Sequence, residues 1–356
     1  MTRVLAVSTA FPPHRYPQQE ITDDLVAGLP PGADRGLLRR LHAGARVDTR
    51  HLALPLDRYR ALGTFGETNR LFAELATDLG VEAAERALDE AGVRPEEIDL
   101  VVSTTVTGIA TPSLDAGVAA RLGLRSDVRR MPLFGLGCAG GAAGLARVHD
   151  HLALRPGGTA LLLSTELCSL TLQRADTSMA NLVAGGLFGD GAAALVAAHG
   201  DRTPPADRGA GHGGPRVVAT RGRLYPGTGH LLGWDIGEWG FRMVLGPELP
   251  ELVRLHVTEE IESFLAEHDL KTADVTAWIC HPGGPRILDA IAEELGLPDT
   301  ALATSRRALA ATGNLSSASV LQILADTQSA RPAPGTTGLM IALGPGFSSE
   351  LVLLAW

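Results

Sequence analysis

The sequence predicts an α/β protein built from two similar layered halves, and three observations support this prediction. Short apolar runs alternate with segments of helical periodicity, which is typical of a layered α/β architecture. Motifs on one side of a stretch rich in Gly, Pro, Asp and Arg, at residues 200–215, recur in the same order on the other side. Glycine makes up 42 of 356 residues, about 12% against a usual ~7%, which indicates many tight turns and close backbone approaches.

The individual elements follow from these patterns. Strands buried on both faces appear as short, nearly continuous apolar runs, whereas helices show apolar positions at a period of 3.6 residues. The predicted strands lie at residues 4–7, 100–102, 160–163, 192–196, 277–279, 339–343 and 351–354. The predicted helices lie at residues 73–91, 116–122, 142–152, 250–268, 285–295 and 317–326.

Three pairs of motifs indicate that the chain is a duplication. Each pair has the same local pattern at a nearly constant offset. The first pair, at 99–124 and 274–297, consists of a strand, a turn, a proline, a helix and Leu-Gly-Leu. The second is a glycine turn before a helix of small residues, at 137–142 and 313–318, and the third is a Gly-Thr pair before a strand, at 158–159 and 335–336. We infer an N-terminal half at residues 1–205 and a C-terminal half at residues 216–356, joined by the surface linker. Equivalent turns meet near a pseudo-twofold axis, so Cys138 and Asn314 are expected to face one another.

Charge and composition exclude several classes of function. The formal net charge is −9, without a long basic run, so no nucleic-acid partner is expected. No apolar run approaches the about 18 residues of a membrane-spanning helix, and the N-terminus does not resemble a signal peptide. Cys138, Cys168 and Cys280 lack metal-ligand spacing, so we expect no metal site and no disulfide scaffold, and a cytoplasmic location.

Cys138 is the candidate nucleophile. It lies in a Gly-rich turn, residues 136–144, that opens a helix of small side chains. At such a position the positive end of the helix and free backbone N–H groups are expected to lower the thiol pKa. The small neighbouring side chains leave room for a substrate, although a free cysteine is also a common small core residue.

His281 and Asn314 complete the candidate catalytic set. His281 ends a predicted strand and is followed by Pro-Gly-Gly-Pro, which fixes the direction of the chain at a strand end where α/β proteins place sites. Asn314 follows Gly313 at the position equivalent to Cys138, and its amide could donate to an oxyanion together with His281. A structural histidine and a helix N-cap asparagine are the simpler interpretations of these two residues.

The order Cys, His, Asn also occurs in papain-like hydrolases, which gives a second enzyme hypothesis. Neither the duplication nor the absence of a disulfide pattern suits that fold. A catalytically silent acyl-binding protein is a further alternative, which the intact set of three residues disfavours.

The motifs at residues 136–144, 278–288, 313–321 and 344–347 resemble those of type III polyketide synthases, the chalcone synthase-like members of the thiolase superfamily. The resemblance covers nearly the whole chain and implies a duplicated thiolase-like αβαβα fold, an obligate homodimer and no cofactor. It implies that Cys138 accepts an acyl group from coenzyme A and forms an ion pair with His281. His281 and Asn314 would then bind the thioester carbonyl of malonyl-CoA during decarboxylation and Claisen condensation. The runner-up is a ketoacyl synthase III-like enzyme that uses acyl carrier protein.

The same resemblance implies roles around the site. Phe188 and Phe241 match the two gatekeeper phenylalanines between the coenzyme A tunnel and the cavity. The residues expected to line the cavity are Val106, Cys168, Thr171 and Ser316, with the stretch 232–234. Arg46 and Arg50 match a region that contacts coenzyme A.

The cavity positions also imply a product class. Thr111 stands where chalcone synthases typically have a methionine, which disfavours a plant-type aromatic starter. The segments 166–171 and 233–236 are similar to bacterial enzymes that make alkylresorcinols and alkylpyrones. A long-chain fatty acyl-CoA starter is therefore the expectation, with a chalcone-type synthase using another starter as the alternative.

Overall fold

The computed structural model describes residues 1–200 and 214–356. Within them the strands are β1 (Thr2–Ala10), β2 (His14–Pro17), β3 (Thr49–Leu52), β4 (Leu100–Thr105), β5 (Arg129–Phe134), β6 (Thr159–Leu167), β7 (Asp190–His199), β8 (Arg216–Leu224), β9 (Leu232–Gly237), β10 (Gly240–Leu245), β11 (Ala277–Cys280), β12 (Thr337–Gly344) and β13 (Ser348–Ala355). The α-helices are α1 (Gln18–Gly28), α2 (Arg35–Gly44), α3 (Phe65–Ala91), α4 (Leu114–Leu122), α5 (Gly140–Ala153), α6 (Met179–Leu187), α7 (Leu249–Leu252), α8 (Thr258–Ala266), α9 (Pro285–Glu294), α10 (Ala303–Thr312) and α11 (Ser317–Ser329).

One nine-stranded sheet carries the duplication, in the order β11-β12-β13-β8-β1-β7-β6-β4-β5. In the N-terminal half, β4 is parallel to β6, which is antiparallel to β7, which is antiparallel to β1. In the C-terminal half β11, β12, β13 and β8 repeat those directions in the same sequence. The halves join where β1 pairs with β8, Thr2 opposite Val217. The predicted duplicated, layered α/β fold is therefore confirmed.

Three apolar clusters separate the layers. The first lies between α3 and the N-terminal strands, and the third lies between the C-terminal strands and the segment from α7 to α9. The second surrounds α5 and α11, each of which contacts strands of both halves. These two helices consequently form the central layer, and the turns that precede them lie side by side near the middle of the molecule.

All seven predicted strands are present, most of them longer than predicted. The predicted helix at 250–268 is interrupted, because a π-helical turn at Val253–Val257 separates α7 from α8. Several elements were not predicted, including the edge strand β5, whose sequence Arg-Arg-Met-Pro-Leu-Phe is largely exposed and is interrupted by a proline. Of the predicted linker, residues 201–213 lie outside the described residues.

Among the helices in the described parts of the chain, none combines the length and the apolar character that a membrane crossing requires.

Candidate active site

Cys138 lies in a 3₁₀ turn, Gly137–Ala139, between the end of β5 and the start of α5. Gly137 has a φ of 49°, and a Cβ there would lie 2.5 Å from the ring of Pro345. A Cβ at Gly140 would lie 2.3 Å from Thr104 Oγ1. The glycines around Cys138 are therefore required because two other chain segments approach this turn closely.

Asn314 lies beside the thiol, as the duplication predicted. Its Oδ1 accepts hydrogen bonds from the backbone N–H of Ser316 at 2.7 Å and from Ser319 Oγ at 3.4 Å. This orients the amide so that its NH₂ group faces Cys138, and its hydrogen bond to Cys138 favours the ionised thiol. Ser316, in the left-handed region with φ 50°, places its Oγ 3.7 Å from Cys138 Sγ.

His281 lies just beyond the carboxyl end of β11, where its backbone N–H donates to Ile341 of β12 at 2.8 Å. Its side chain is buried, and within the described structure neither ring nitrogen has a hydrogen-bond partner. The end of the adjacent strand β12 abuts the Cys138 turn, since a Cβ at Gly344 would lie 2.6 Å from the carbonyl of Leu136. Sheet topology thus brings an unpartnered imidazole to the same end of the sheet as the thiol.

The predicted lowering of the Cys138 pKa is not what the structure gives. Burial raises the pKa of this thiol to about 12, and the contacts with Ser316 and Asn314 oppose the rise only in part. Burial also lowers the pKa of His281 to about 3. Both effects favour the uncharged forms, so burial opposes the Cys138–His281 ion pair that the resemblance implies.

A cavity of about 780 Å³ opens beside Cys138. The residues that line it include all those that the resemblance implied: Val106, Cys168, Thr171, Ser316, Leu232, Gly233 and Trp234. Phe188 and Arg50 also lie on its wall. Phe241 lies behind the wall, with its ring 5.4 Å from that of Phe65 and 5.7 Å from that of Trp234, both of which line the cavity.

Phe188 is tied directly to Asn314. The backbone N–H of Asn314 donates to the Leu187 carbonyl at 2.8 Å, and that of Gly189 donates to the Asn314 carbonyl at 3.0 Å. The predicted gate residue, Phe188, is therefore fixed relative to the predicted oxyanion donor, Asn314, by backbone hydrogen bonds from the residues on both sides of Phe188.

Arg50 does not lie at an exposed mouth, which is where the sequence placed it. It is 3% exposed; Nη1 donates to the Phe188 carbonyl at 2.6 Å and Nε donates to Gln18 Oε1 at 2.9 Å. Nη1 therefore holds the Phe188 segment, while Nη2 is buried and has no hydrogen-bond partner within the described structure. Arg46, by contrast, is exposed, with Nη1 3.8 Å from Asp289.

Sequence reasoning missed Glu166, a buried carboxylate at the end of β6. It accepts hydrogen bonds from Val106 N–H at 3.1 Å, Thr107 Oγ1 at 2.8 Å and Ser317 Oγ at 2.5 Å. Burial raises its pKa, which these hydrogen bonds oppose. A lone acid inside an otherwise apolar strand was the available signal.

Sequence reasoning also missed the role of Asp190, the first residue of β7. Asp190 accepts hydrogen bonds from the backbone N–H groups of Ala53 at 2.6 Å and Ser169 at 2.8 Å. Burial raises its pKa to about 6. This carboxylate joins the β3 end to the loop that carries Cys168.

Comparisons with known proteins agree with this geometry. Residues 1–200 match the family described as chalcone and stilbene synthases, N-terminal domain, and residues 216–355 match its C-terminal domain. The chain is 57% identical to the 1,3,6,8-tetrahydroxynaphthalene synthase of Streptomyces peucetius subsp. caesius, over 100% of this chain and 93% of that protein. It is 29% identical to the phloroglucinol synthase of Pseudomonas fluorescens, over 97% of each chain.

A solved structure is similar over the same extent. The crystal structure of 1,3,6,8-tetrahydroxynaphthalene synthase from Streptomyces coelicolor, a bacterial type III polyketide synthase, matches with a TM-score of 0.91, 30% identity and 99% coverage of both chains. The chain therefore belongs to the chalcone and stilbene synthase family, the type III polyketide synthases, which are acyltransferases.

Proposed function

We propose that this enzyme makes 1,3,6,8-tetrahydroxynaphthalene, or a closely related polyhydroxylated aromatic product, from malonyl-CoA as both starter and extender. The observation that carries the proposal is the 57% identity, across the whole chain, to a protein of that activity. Condensation of malonyl-CoA is common to the family; the starter and the product are what we propose.

The stoichiometry of this reaction balances. Five malonyl units supply the ten naphthalene carbons as five C₂H₂O units, with loss of five carbon dioxide molecules and five molecules of coenzyme A. Removal of one water on closing and aromatising the rings leaves C₁₀H₈O₄. The oxygens at alternate carbons are those expected of a folded poly-β-keto chain, so no oxidant or reductant is required.

We assign the chemical steps to three residues. Cys138 attacks the starter thioester, so that the acyl–sulfur bond forms while the thiolate of coenzyme A leaves, and His281 takes the thiol proton. Asn314 and His281 then donate to the thioester oxygen of the next malonyl-CoA while carbon dioxide departs and an enolate forms. The carbon nucleophile attacks the carbonyl of the Cys138 thioester, and the thiolate of Cys138 leaves. The chain, now two carbons longer, is a thioester of coenzyme A and is transferred back to Cys138 for the next cycle. The amide of Asn314, whose NH₂ group faces Cys138, and the unpartnered nitrogens of His281 support this assignment.

The surrounding residues have separate proposed roles. Phe188, on the cavity wall, would separate the incoming coenzyme A arm from the cavity, with Phe241 supporting this gate from behind Phe65 and Trp234. The exposed Arg46 remains the candidate contact for the phosphates of coenzyme A. Each chain would consist of two halves, residues 1–205 and 216–356, and two chains would form a homodimer. Light scattering tests the dimer directly.

A long-chain fatty acyl-CoA starter, leading to an alkylresorcinol or alkylpyrone, is the second candidate. The apolar side chains on the cavity wall, including Leu25, Leu56 and Leu170, favour it. We rank it second because the identity to a tetrahydroxynaphthalene synthase extends over the whole chain.

The test is a product analysis of the purified protein. With malonyl-CoA as the only substrate, we expect mass spectrometry to show the ten-carbon aromatic product, and carbon dioxide and coenzyme A to be released in equal amounts. Cys138→Ala should abolish the product, and Asn314→Ala should slow its formation on the order of 10²–10³-fold. Products formed only when a fatty acyl-CoA is added would overturn the proposal in favour of the second candidate, and phloroglucinol alone would show that fewer units are joined.

A further inference from the structure

A cluster of two arginines and one carboxylate lies on the wall of the reaction cavity, in a part of it that the proposed chemistry does not use. Arg174 Nη2 donates to Asp24 Oδ2 at 2.8 Å, and Arg60 Nε donates to the other oxygen, Oδ1, at 3.0 Å. Arg60 Nη2 also contacts that oxygen. All three residues line the same cavity as Cys138.

The cluster has an excess of positive charge. Asp24 is ionised, because the hydrogen bonds from Arg174 and Arg60 outweigh the effect of burial and hold its pKa below the ordinary value. Within the described residues, neither arginine forms a salt bridge to any other carboxylate. Glu238 also lines the cavity but forms no salt bridge with this pair in the described structure. Two cations therefore share one anion.

The cluster retains unused donors and is held in place. Each guanidinium has five N–H donors in a fixed plane, and the contacts to Asp24 use only some of them. The side chain of Asp24 is 9% exposed and that of Arg174 is 23% exposed, whereas Arg60 is 60% exposed. A Cβ at Gly28 would lie 3.0 Å from Arg174 Nη2, so α1 packs against the guanidinium. A partly buried arginine pair of this kind suits a planar carboxylate.

We propose that Arg174 and Arg60, held by Asp24, bind the free carboxylate end of an acyl chain attached to Cys138, and so favour a malonyl starter over one with an uncharged end. This inference rests on the proposed function. A malonyl starter retains a carboxylate at the end remote from the Cys138 thioester, whereas a fatty acyl starter ends in a methyl group. As the chain grows by two carbons per cycle, this end moves away from Cys138 along the cavity.

The same contact accounts for how one compound can serve as both starter and extender. Loss of carbon dioxide withdraws electrons from the carboxylate into the forming enolate, so an arginine that binds the carboxylate stabilises the ground state against that loss. The extender carboxylate has no such partner at Asn314 and His281, which instead stabilise the enolate oxygen. The starter carboxylate is thereby kept while the chain is extended and leaves as the fifth carbon dioxide when the rings close, whereas each extender carboxylate is lost before its condensation.

The experiment measures loading of Cys138 by intact-protein mass spectrometry with matched acyl-CoA pairs. Each pair has the same chain length, from three to eight carbons, and ends in either a carboxylate or a methyl group; malonyl-CoA and propionyl-CoA form one pair, and adipoyl-CoA and hexanoyl-CoA another. At the length that reaches the cluster, we expect wild type to load the dicarboxylic member about tenfold faster relative to its partner, as is typical for a charge-assisted hydrogen bond. Arg174→Gln should lose that preference, and Arg174→Lys should keep part of it.

Controls separate this role from a structural one. Arg60→Gln, at the more exposed arginine, provides a second variant should Arg174→Gln fold poorly, and it should also reduce the preference. Arg39→Gln removes a similar exposed pair with Asp23 that lies off the cavity, and it should leave the preference unchanged. If no chain length shows a preference in wild type, or if both Gln variants keep it while losing thermal stability, the cluster is only structural. A wild-type preference without any product from malonyl-CoA alone would instead refute the proposed function.

Discussion

At the scale of single residues, burial decides the charge states of the site. Burial raises the pKa of the Cys138 thiol and lowers the pKa of the His281 imidazole, so it favours the uncharged form of each. The energetic problem of the first step is therefore to form a thiolate in a buried site. An imidazole that can accept the proton solves it by providing the opposite charge at the moment of attack.

Replacement of His281 by Gln tests this account. Without the imidazole, no base accepts the Cys138 proton, and the contacts with Ser316 and Asn314 offset burial only in part, so the pH at which the thiol reacts should rise. We expect inactivation of His281→Gln by iodoacetamide to be at least about tenfold slower than that of wild type at pH 7 and to recover at alkaline pH. His256→Gln, outside the cavity, serves as the control. Equal rates in wild type and His281→Gln across the pH range would contradict proton transfer to His281.

Replacement of Arg50 tests whether this residue positions the Phe188 segment and, through it, Asn314. Its guanidinium holds the Phe188 carbonyl, and the Phe188 segment is bonded to the backbone of Asn314. Arg50→Met keeps the length and apolar contacts but removes both donors, so we expect kcat to fall about tenfold or more while KM for malonyl-CoA changes little. Arg46→Met should instead raise KM if Arg46 contacts the coenzyme A phosphates. If Arg50→Met raises KM and leaves kcat unchanged, Arg50 contacts coenzyme A and does not position the Phe188 segment.

At the scale of secondary-structure elements, the site depends on how closely α5 and α11 approach each other. A Cβ at Gly141 would lie 2.3 Å from the Ser317 carbonyl, on the backbone of the other helix. Because a backbone atom cannot rotate away, the two helices would have to separate. The turns that carry Cys138 and Asn314 would move with them.

Gly141→Ala is therefore expected to be strongly destabilising. We expect a loss of about 3 kcal/mol in the free energy of unfolding, at the upper end of overpacking effects, together with loss of activity. Gly66→Ala lies on the exposed side of α3, where the new Cβ would be 3.7 Å from Arg70 Nη1, and should be neutral or slightly stabilising. Urea denaturation measures both variants, and similar midpoints for the two would refute the close-packing argument.

At the scale of the whole molecule, buried acids couple stability to pH. Burial raises the pKa of Glu350, on β13, to about 7, against an ordinary value of 4.5. The folded state then binds a proton more tightly than the unfolded chain does. The stability that this proton contributes is fully present below the unfolded pKa and is lost as the pH rises through about 7.

Glu350→Gln isolates this contribution. The melting temperature of wild type relative to the variant should fall, by about 1–3 °C, as the pH is raised from 5 to 8. Titration of other groups cancels in the difference, since both proteins carry them. A difference that stays constant or increases over this range would show that Glu350 is not protonated in the folded protein at low pH.

The sequence by itself determined the features that depend on short runs of residues and on their spacing. The seven apolar strands, the duplication and the expectation that Cys138 and Asn314 lie together all follow from short runs of residues and their spacing. His281 was identifiable because a polar residue at a rigid, glycine-rich strand end has few structural reasons to be there. Edge strand β5 and the helix α6 escaped detection, because their side chains are exposed or of mixed character.

Only the tertiary structure decided the charges and neighbours of those residues. Burial and contacts between distant segments decide whether Arg50 lies at the surface or inside, and in which direction the pKa of Cys138 is shifted. They also bring Arg60 and Arg174 to the same carboxylate, Asp24. Asp24 and Arg174 are 150 residues apart along the chain. Local sequence encodes backbone conformation and the apolar faces of elements, whereas electrostatic energies depend on solvent exclusion and distance, which exist only once the layers have packed.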